Sequence, residues 1–128
     1  MKRCFVDSNI IIETCKRNST AISILEKYEK NSYAYINPIV VSKVVYILKK
    51  KLNYTIKQIA EILQNFNILA IDNKIIILAY EYMHKYNMKP NDAIIAATCK
   101  HHQIPNILTM DIDFEQVCIN ENINLINE

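Results

Sequence analysis

The chain alternates two kinds of apolar segment, and this alternation restricts what it can fold into. Short β-like runs stand at RCFV (3–6), YAYI (33–36), NILAI (67–71), NILTM (106–110) and, more weakly, INLI (123–126). Longer segments between them carry apolar residues at helical spacing. Asp7, Ser8 and Asn9 are all good helix-capping types, and the Ile run that follows starts a helix near 9–16. Ser19 or Thr20 is expected to cap a second helix, with Ile22, Leu25 and Tyr28 on one face. Pro38 opens a third, with apolar residues at 40, 41, 44, 45, 47 and 48. Thr55 caps a fourth, lined by Ile56, Ile59, Ile62, Leu63 and Phe66, and residues 74–86 and 91–102 read as two more. Strands alternating with helices predict an α/β fold around a mainly parallel sheet of about five strands.

A length of 128 residues favours one domain with one core, and 51% hydrophobic and 22% charged residues is a globular composition. No apolar run approaches the ~20 residues that span a bilayer. The start, MKRCFVDSN, reaches an aspartate too soon for a signal peptide, so a cytoplasmic location is expected, with no membrane partner. Cys4, Cys15, Cys99 and Cys118 form no C-x-x-C pair and have no histidine at zinc-finger spacing, and are read as free thiols in a reducing compartment. A net charge of +2 permits a nucleic-acid partner without demanding one. The chain has no glycine, which excludes every Gly-rich phosphate-cradling turn and leaves asparagine as the natural residue for positive-φ positions.

The acidic residues fall at telling places. Asp7 directly follows the first predicted strand, and Asp111 directly follows ILTM. Ligands of open parallel sheets bind beyond the carboxyl ends of strands, where strand order reverses. Asp92, in PNDAIIAAT (90–98), heads a helix and can point into the same crevice, favoured there by the helix dipole. Asp113 is close enough to Asp111 to join from the loop. Taken singly, each is an ordinary cap or turn residue. Together they would repel one another by about 4 kcal/mol per pair at ~4 Å and an effective dielectric of about 20. Such a cluster persists by raising its pKa values or by binding a cation. All-oxygen ligation suits Mg²⁺ or Mn²⁺, and the chemistry that follows is phosphodiester hydrolysis by a metal-activated water.

FVDSNIII, PIVVSKVVYIL, NDAIIAAT and ILTMDIDF together resemble the PIN domain family, in particular its VapC-like toxins, across nearly the whole chain. The resemblance implies an α/β/α sandwich with a five-stranded parallel sheet and helices on both faces. It also implies an Mg²⁺- or Mn²⁺-dependent endoribonuclease acting on RNA, often a homodimer, with a partner antitoxin that blocks the site. By position, Asp7, Asp92 and Asp111 match the family's metal-binding acids, and Asp113 an accessory acid. Ser8 and Asn9 match the polar residues beside the first acid, and Thr109 the hydroxyl residue before the third.

One position departs from the family pattern. Lys43, in Ser42-Lys43-Val44-Val45-Tyr46, stands where PIN domains usually carry a glutamate. Three readings compete: a permanent internal cation in a silent site, a cation that touches phosphate in a working one, or a side chain turned to solvent while another acid, such as Glu13 or Glu115, substitutes. A non-catalytic PIN-like module that binds RNA or a protein is therefore the alternative function. An aspartyl-phosphate enzyme or receiver also places an aspartate after its first strand. Against that class, Asp7 is followed by Ser-Asn without a D-x-D pair, and no aspartate ends YAYI. Lys49, Lys50 and Lys51 read as a solvated helix end, the tyrosines as core edge or subunit surface, and His101 and His102 carry no assigned role.

Overall fold

The computed structural model describes residues 2–29 and 32–128. Strands β1 (Lys2–Val6), β2 (Ser32–Ile36), β3 (Asn67–Ile68), β4 (Asn106–Leu108) and β5 (Asn124–Ile126) form one sheet in the order β3-β2-β1-β4-β5. Every pairing is parallel. Seven α-helices connect them: α1 (Ser8–Cys15), α2 (Ser19–Glu29), α3 (Pro38–Leu52), α4 (Ile56–Leu63), α5 (Asn73–Tyr86), α6 (Pro90–His101) and α7 (Glu115–Glu121). Cys4, Phe5 and Val6 are consecutive and each is 0% exposed. Successive strand residues point to opposite faces, so both faces of β1 are covered, as parallel sheets require.

The topology positions the site. From β1 the chain steps outward through β2 to β3, then returns to the other edge of β1 as β4 and continues outward to β5. Order therefore reverses between β1 and β4, and the loops leaving their carboxyl ends diverge to open a crevice. The backbone joins the two strand ends directly, since the Asp7 N–H donates to the Leu108 carbonyl at 2.9 Å.

Several local expectations are corrected. Asn18, rather than Ser19 or Thr20, caps α2, its side chain accepting from the Ala21 N–H at 3.0 Å. Only Asn67 and Ile68 of NILAI pair as a strand, while Leu69 adds one bond from its N–H to the Ile36 carbonyl at 2.8 Å. Ile56 leaves the apolar face of α4 and is 53% exposed, although the Thr55–Gln58 capping box forms as the helix start requires. Helix α7 and the 3-10 turn before it, Ile112–Phe114, replace a segment read as loop. None of the four cysteines is in a disulfide, and among the described residues no helix is long and apolar enough to cross a membrane.

Two buried polar residues tie α3 to α6. Asn37 accepts from the Val40 N–H at 3.2 Å, capping α3, and donates to Thr98 Oγ1 at 3.0 Å. Thr98 donates in turn to the Ile94 carbonyl at 2.7 Å. Neither residue has any solvent exposure, so the pair is satisfied internally.

The lack of glycine shows in the backbone. Among the described residues, five non-glycine residues hold positive φ: Arg17, Asn53, Asn87, Gln103 and Asn122. Asparagine tolerates this region, whereas glutamine pays a steric cost between Cβ and the following carbonyl. Gln103 uses only backbone groups in its contacts, its N–H to Lys100 and its carbonyl to Arg3. Gln103→Gly is therefore expected to raise stability by about 0.5–1 kcal/mol, the steric relief exceeding the added freedom of the unfolded chain. Urea unfolding checks this, and an unchanged or lower midpoint would contradict it.

Candidate active site

Asp7 stands where β1 ends and α1 begins, and is 5% exposed. Its carboxylate accepts from the Ser8 N–H at 2.7 Å, from Asn9 Nδ2 at 3.2 Å and from Thr109 Oγ1 at 2.8 Å. The last bond crosses from β1 to the segment after β4. Asn9 strengthens the crossing: its Nδ2 also meets Thr109 Oγ1 at 3.3 Å, and its Oδ1 accepts from the Met110 N–H at 3.1 Å. Ser8 acts on Asp7 through its backbone. Burial pushes the Asp7 pKa up despite these donors, with Thr109, Ser8 and Lys43 pulling it down and Asp111 adding to the rise.

Asp111 is aimed by the same loop. Its N–H donates to Thr109 Oγ1 at 3.0 Å, and its own carboxylate accepts from the Asp113 N–H at 2.9 Å, which forms the 3-10 turn. One oxygen each of Asp92, Asp111 and Asp113 lies within 4.8 Å of the others. Asp92 enters from the first turn of α6 and is half-buried, as is Asp111, while Asp113 is exposed. The Asp92 pKa is pushed up to about 6, first by burial, then by the charges of Asp111, Asp7 and Asp113, with Lys43 opposing. Four acids thus act on one another, as the sequence places them. The set whose oxygens converge is Asp92, Asp111 and Asp113, with Asp7 seated deeper beside it.

Lys43 is exposed on α3 and its charge reaches Asp7 and Asp92, though no ion pair to them within 4.0 Å occurs among the described residues. Of the substitutes considered for the missing glutamate, Glu13 instead pairs with Lys16 at 3.2 Å, and Glu115 is not in the converging set. Lys49, Lys50 and Lys51 are exposed, as read from the sequence. Beside Asp92 and Asp113 lies a cavity of about 220 Å³ whose other walls are Tyr86, Asn87, Met88 and Lys89. Sequence reading did not single out residues 87–89. The signal available was a lysine directly before Pro90, at a capping position where Ser, Thr, Asp or Asn is preferred.

The converging oxygens are hard donors without sulfur or nitrogen, and burial, with the repulsion of the neighbouring acids added to it, raises the Asp92 pKa. A donor set of this kind fits a divalent cation such as Mg²⁺ or Mn²⁺. The fold and site together define an all-parallel α/β protein with an acidic crevice at its topological switch point. The PIN domain family profile matches residues 4–120. The chain is 35% identical to Ribonuclease VapC2 of Methanocaldococcus jannaschii over 90% of its length and 89% of that relative. It is 33% identical to Ribonuclease VapC6 of the same organism, over 88% of this chain and 91% of that one. Among solved structures, a toxin–antitoxin complex from Klebsiella pneumoniae superposes with a TM-score of 0.78 at 27% identity, covering 87% of this chain and 89% of that chain. The chain belongs to the PIN domain family.

The raised Asp92 pKa carries a sign. A carboxyl that binds its proton more tightly folded than unfolded supports stability at low pH and loses that support as pH rises through the folded value. For Asp92 the window runs from its ordinary 3.8 to about 6. In the presence of EDTA, the melting temperature of the native protein relative to Asp92→Asn is expected to fall as pH rises from about 4 to 6.5. Adding Mg²⁺ at neutral pH should recover the native protein selectively. Parallel melting curves for the two proteins across this range would refute the assignment.

Proposed function

We propose that this chain is a metal-dependent endoribonuclease and the toxin of a toxin–antitoxin pair. The observation that carries the reading is the convergence of Asp92, Asp111 and Asp113 beside buried Asp7 at the switch point of the sheet. The two relatives named ribonucleases support the substrate class, and the Klebsiella complex supports an antitoxin as partner. A homodimer is part of the same proposal.

Asp7, Asp92 and Asp111 are the residues assigned to hold Mg²⁺ or Mn²⁺, with Asp113 as the accessory acid. When bound, the cation supplies an activated water and offsets charge on the phosphate. The chain's own residues do the rest. Thr109 and Asn9 fix the Asp7 carboxylate by hydrogen bonds, and the Ser8 N–H fixes its other oxygen. Burial of Asp7 lowers the local dielectric and so strengthens its attraction for a cation. Lys43 is exposed, and its charge, felt at Asp7 and Asp92, is available to a phosphate oxygen of the RNA.

Lys43 also supports a second reading, a PIN-like module that binds RNA or a protein without cutting. Its charge already compensates Asp7 and Asp92 in part, which a silent site requires. RNA cleavage with Mg²⁺ or Mn²⁺ by the native protein, Asp92→Asn and Lys43→Glu separates the two. The nuclease reading expects the native protein to cut and Asp92→Asn to lose more than about a hundredfold. Cleavage by Lys43→Glu alone would establish the silent site, and cleavage by none of them would remove the nuclease reading.

A further inference from the structure

Residues 87–89 join α5 to α6 and, with Tyr86 at the end of α5, form most of the cavity beside Asp92 and Asp113. At about 220 Å³ it is smaller than the ~300–1,000 Å³ of sites for drug-sized molecules, and suits one ring system. Its walls combine an aromatic ring (Tyr86), a thioether (Met88), an amide (Asn87) and an ammonium (Lys89). Tyr86 and Met88 are half-buried, whereas Asn87 and Lys89 are exposed.

The aromatic wall and the backbone of the linker are held in place. The Tyr86 hydroxyl donates to Glu121 at 2.5 Å, and its ring packs at 5.7 Å from that of Tyr82, which is buried and bound to the same carboxylate at 3.1 Å. Asn87 closes α5 in the left-handed conformation, with φ at 52°. Lys89 is extended, as a residue before proline must be.

Lys89 breaks the local rules of helix starts. It occupies the capping position of α6 and makes no side-chain cap hydrogen bond. Its positive charge sits at the end of the helix that already carries partial positive charge, an unfavourable placement. Among the described residues its ammonium has no hydrogen bond or ion pair, unlike Lys85 and Lys100 nearby, which engage Glu121. The acids across the cavity offset this placement in part, and the ammonium remains available to a ligand that enters there.

We propose that this cavity receives one unstacked base of single-stranded RNA, next to the phosphate at the acidic crevice. The proposal rests on the nuclease reading for its choice of ligand. Tyr86 and Met88 supply the apolar surface for the ring, and Lys89 and Asn87 supply donors to its edge. Single-stranded RNA is the form that presents bases free to enter such a cavity.

Photocrosslinking tests this without needing cleavage. A single-stranded oligoribonucleotide carrying 4-thiouridine is crosslinked to the native protein and to Asp111→Asn in Mg²⁺, and the adducts are mapped by mass spectrometry. Adducts within residues 86–89, lost in Lys89→Ala, are expected. Adducts only elsewhere, or no binding, overturn the proposal. If the adducts form at 86–89 but neither protein cuts RNA, the subsite stands and the nuclease reading fails. If the native protein cuts while adducts map elsewhere, the reverse holds. Where cleavage occurs, sequencing the ends from a random RNA pool should show Lys89→Ala relaxing base preference at one position beside the cut, by about tenfold. A uniform loss over all sequences with a smaller salt slope would make Lys89 a phosphate contact and overturn the base subsite.

Discussion

The crevice depends on a hydrogen bond between the ends of two strands. Thr109 Oγ1 donates to the Asp7 carboxylate and accepts from the Asp111 N–H, so one hydroxyl sets the positions of two acids that follow different strands. A threonine suits this place because its hydroxyl donates and accepts at once, and its branched Cβ limits how far it can turn. Asn9 spans the same gap with both ends of its amide. The central pair β1–β4 is thus stitched by backbone bonds within the sheet and by side chains just beyond it, where the sheet would otherwise open freely.

The same arrangement explains why the acids differ from one another. Asp7 is buried and held by three donors, Asp92 is half-buried with acids on several sides, and Asp113 is exposed. Burial raises the proton affinity of the first two, and hydrogen bonds offset it at Asp7. Thr109 and the Ser8 N–H therefore do more than orient. They keep a buried carboxylate closer to its ionised form, the form that binds a cation. Removing the Thr109 hydroxyl would leave Asp7 geometrically near its place yet more readily protonated.

The central architecture was legible in the sequence because it rests on strong local signals. RCFV stops at Asp7 as β1 does, and NILTM runs up to Asp111 although β4 itself ends at Leu108; β1 and β4 are neighbours at the centre of the sheet. The edges were harder to read. Leu69 and Ile71 look like strand residues but serve by packing on the core beyond the two paired positions of β3. Helix α7 offers only Val117 and Cys118 as buried residues and follows a 3-10 turn without a side-chain cap, so neither periodicity nor a start signal marks it. At the site, the placement of Asp92 at a helix start was visible in PND. Asp113 was expected to join from the loop, but that it, rather than Asp7, completes the converging set was not legible, because that depends on how the 3-10 turn folds back from Asp111. The cavity at residues 86–89 was hidden for a similar reason: it exists only once α5 packs on α6 and Glu121 of α7 fixes Tyr86.

Charge links the two proposals. Four carboxylates in and beside one crevice would repel an incoming phosphate backbone, and a single divalent cation compensates only half of their charge. Lys43 on α3 and Lys89 before α6 supply the balance from two separate elements. Neither forms an ion pair within 4.0 Å among the described residues. An exposed ammonium is screened beyond about 8 Å at physiological salt, so it must act close to the crevice to matter. Lys43 meets that condition, since its charge is felt at Asp7 and Asp92, and Lys89 meets it by lining the cavity that Asp92 and Asp113 share. The lysine at position 43 thus changes how the charge of the crevice is balanced: one acid fewer than the family pattern carries, and an exposed cation whose charge is felt at Asp7 and Asp92.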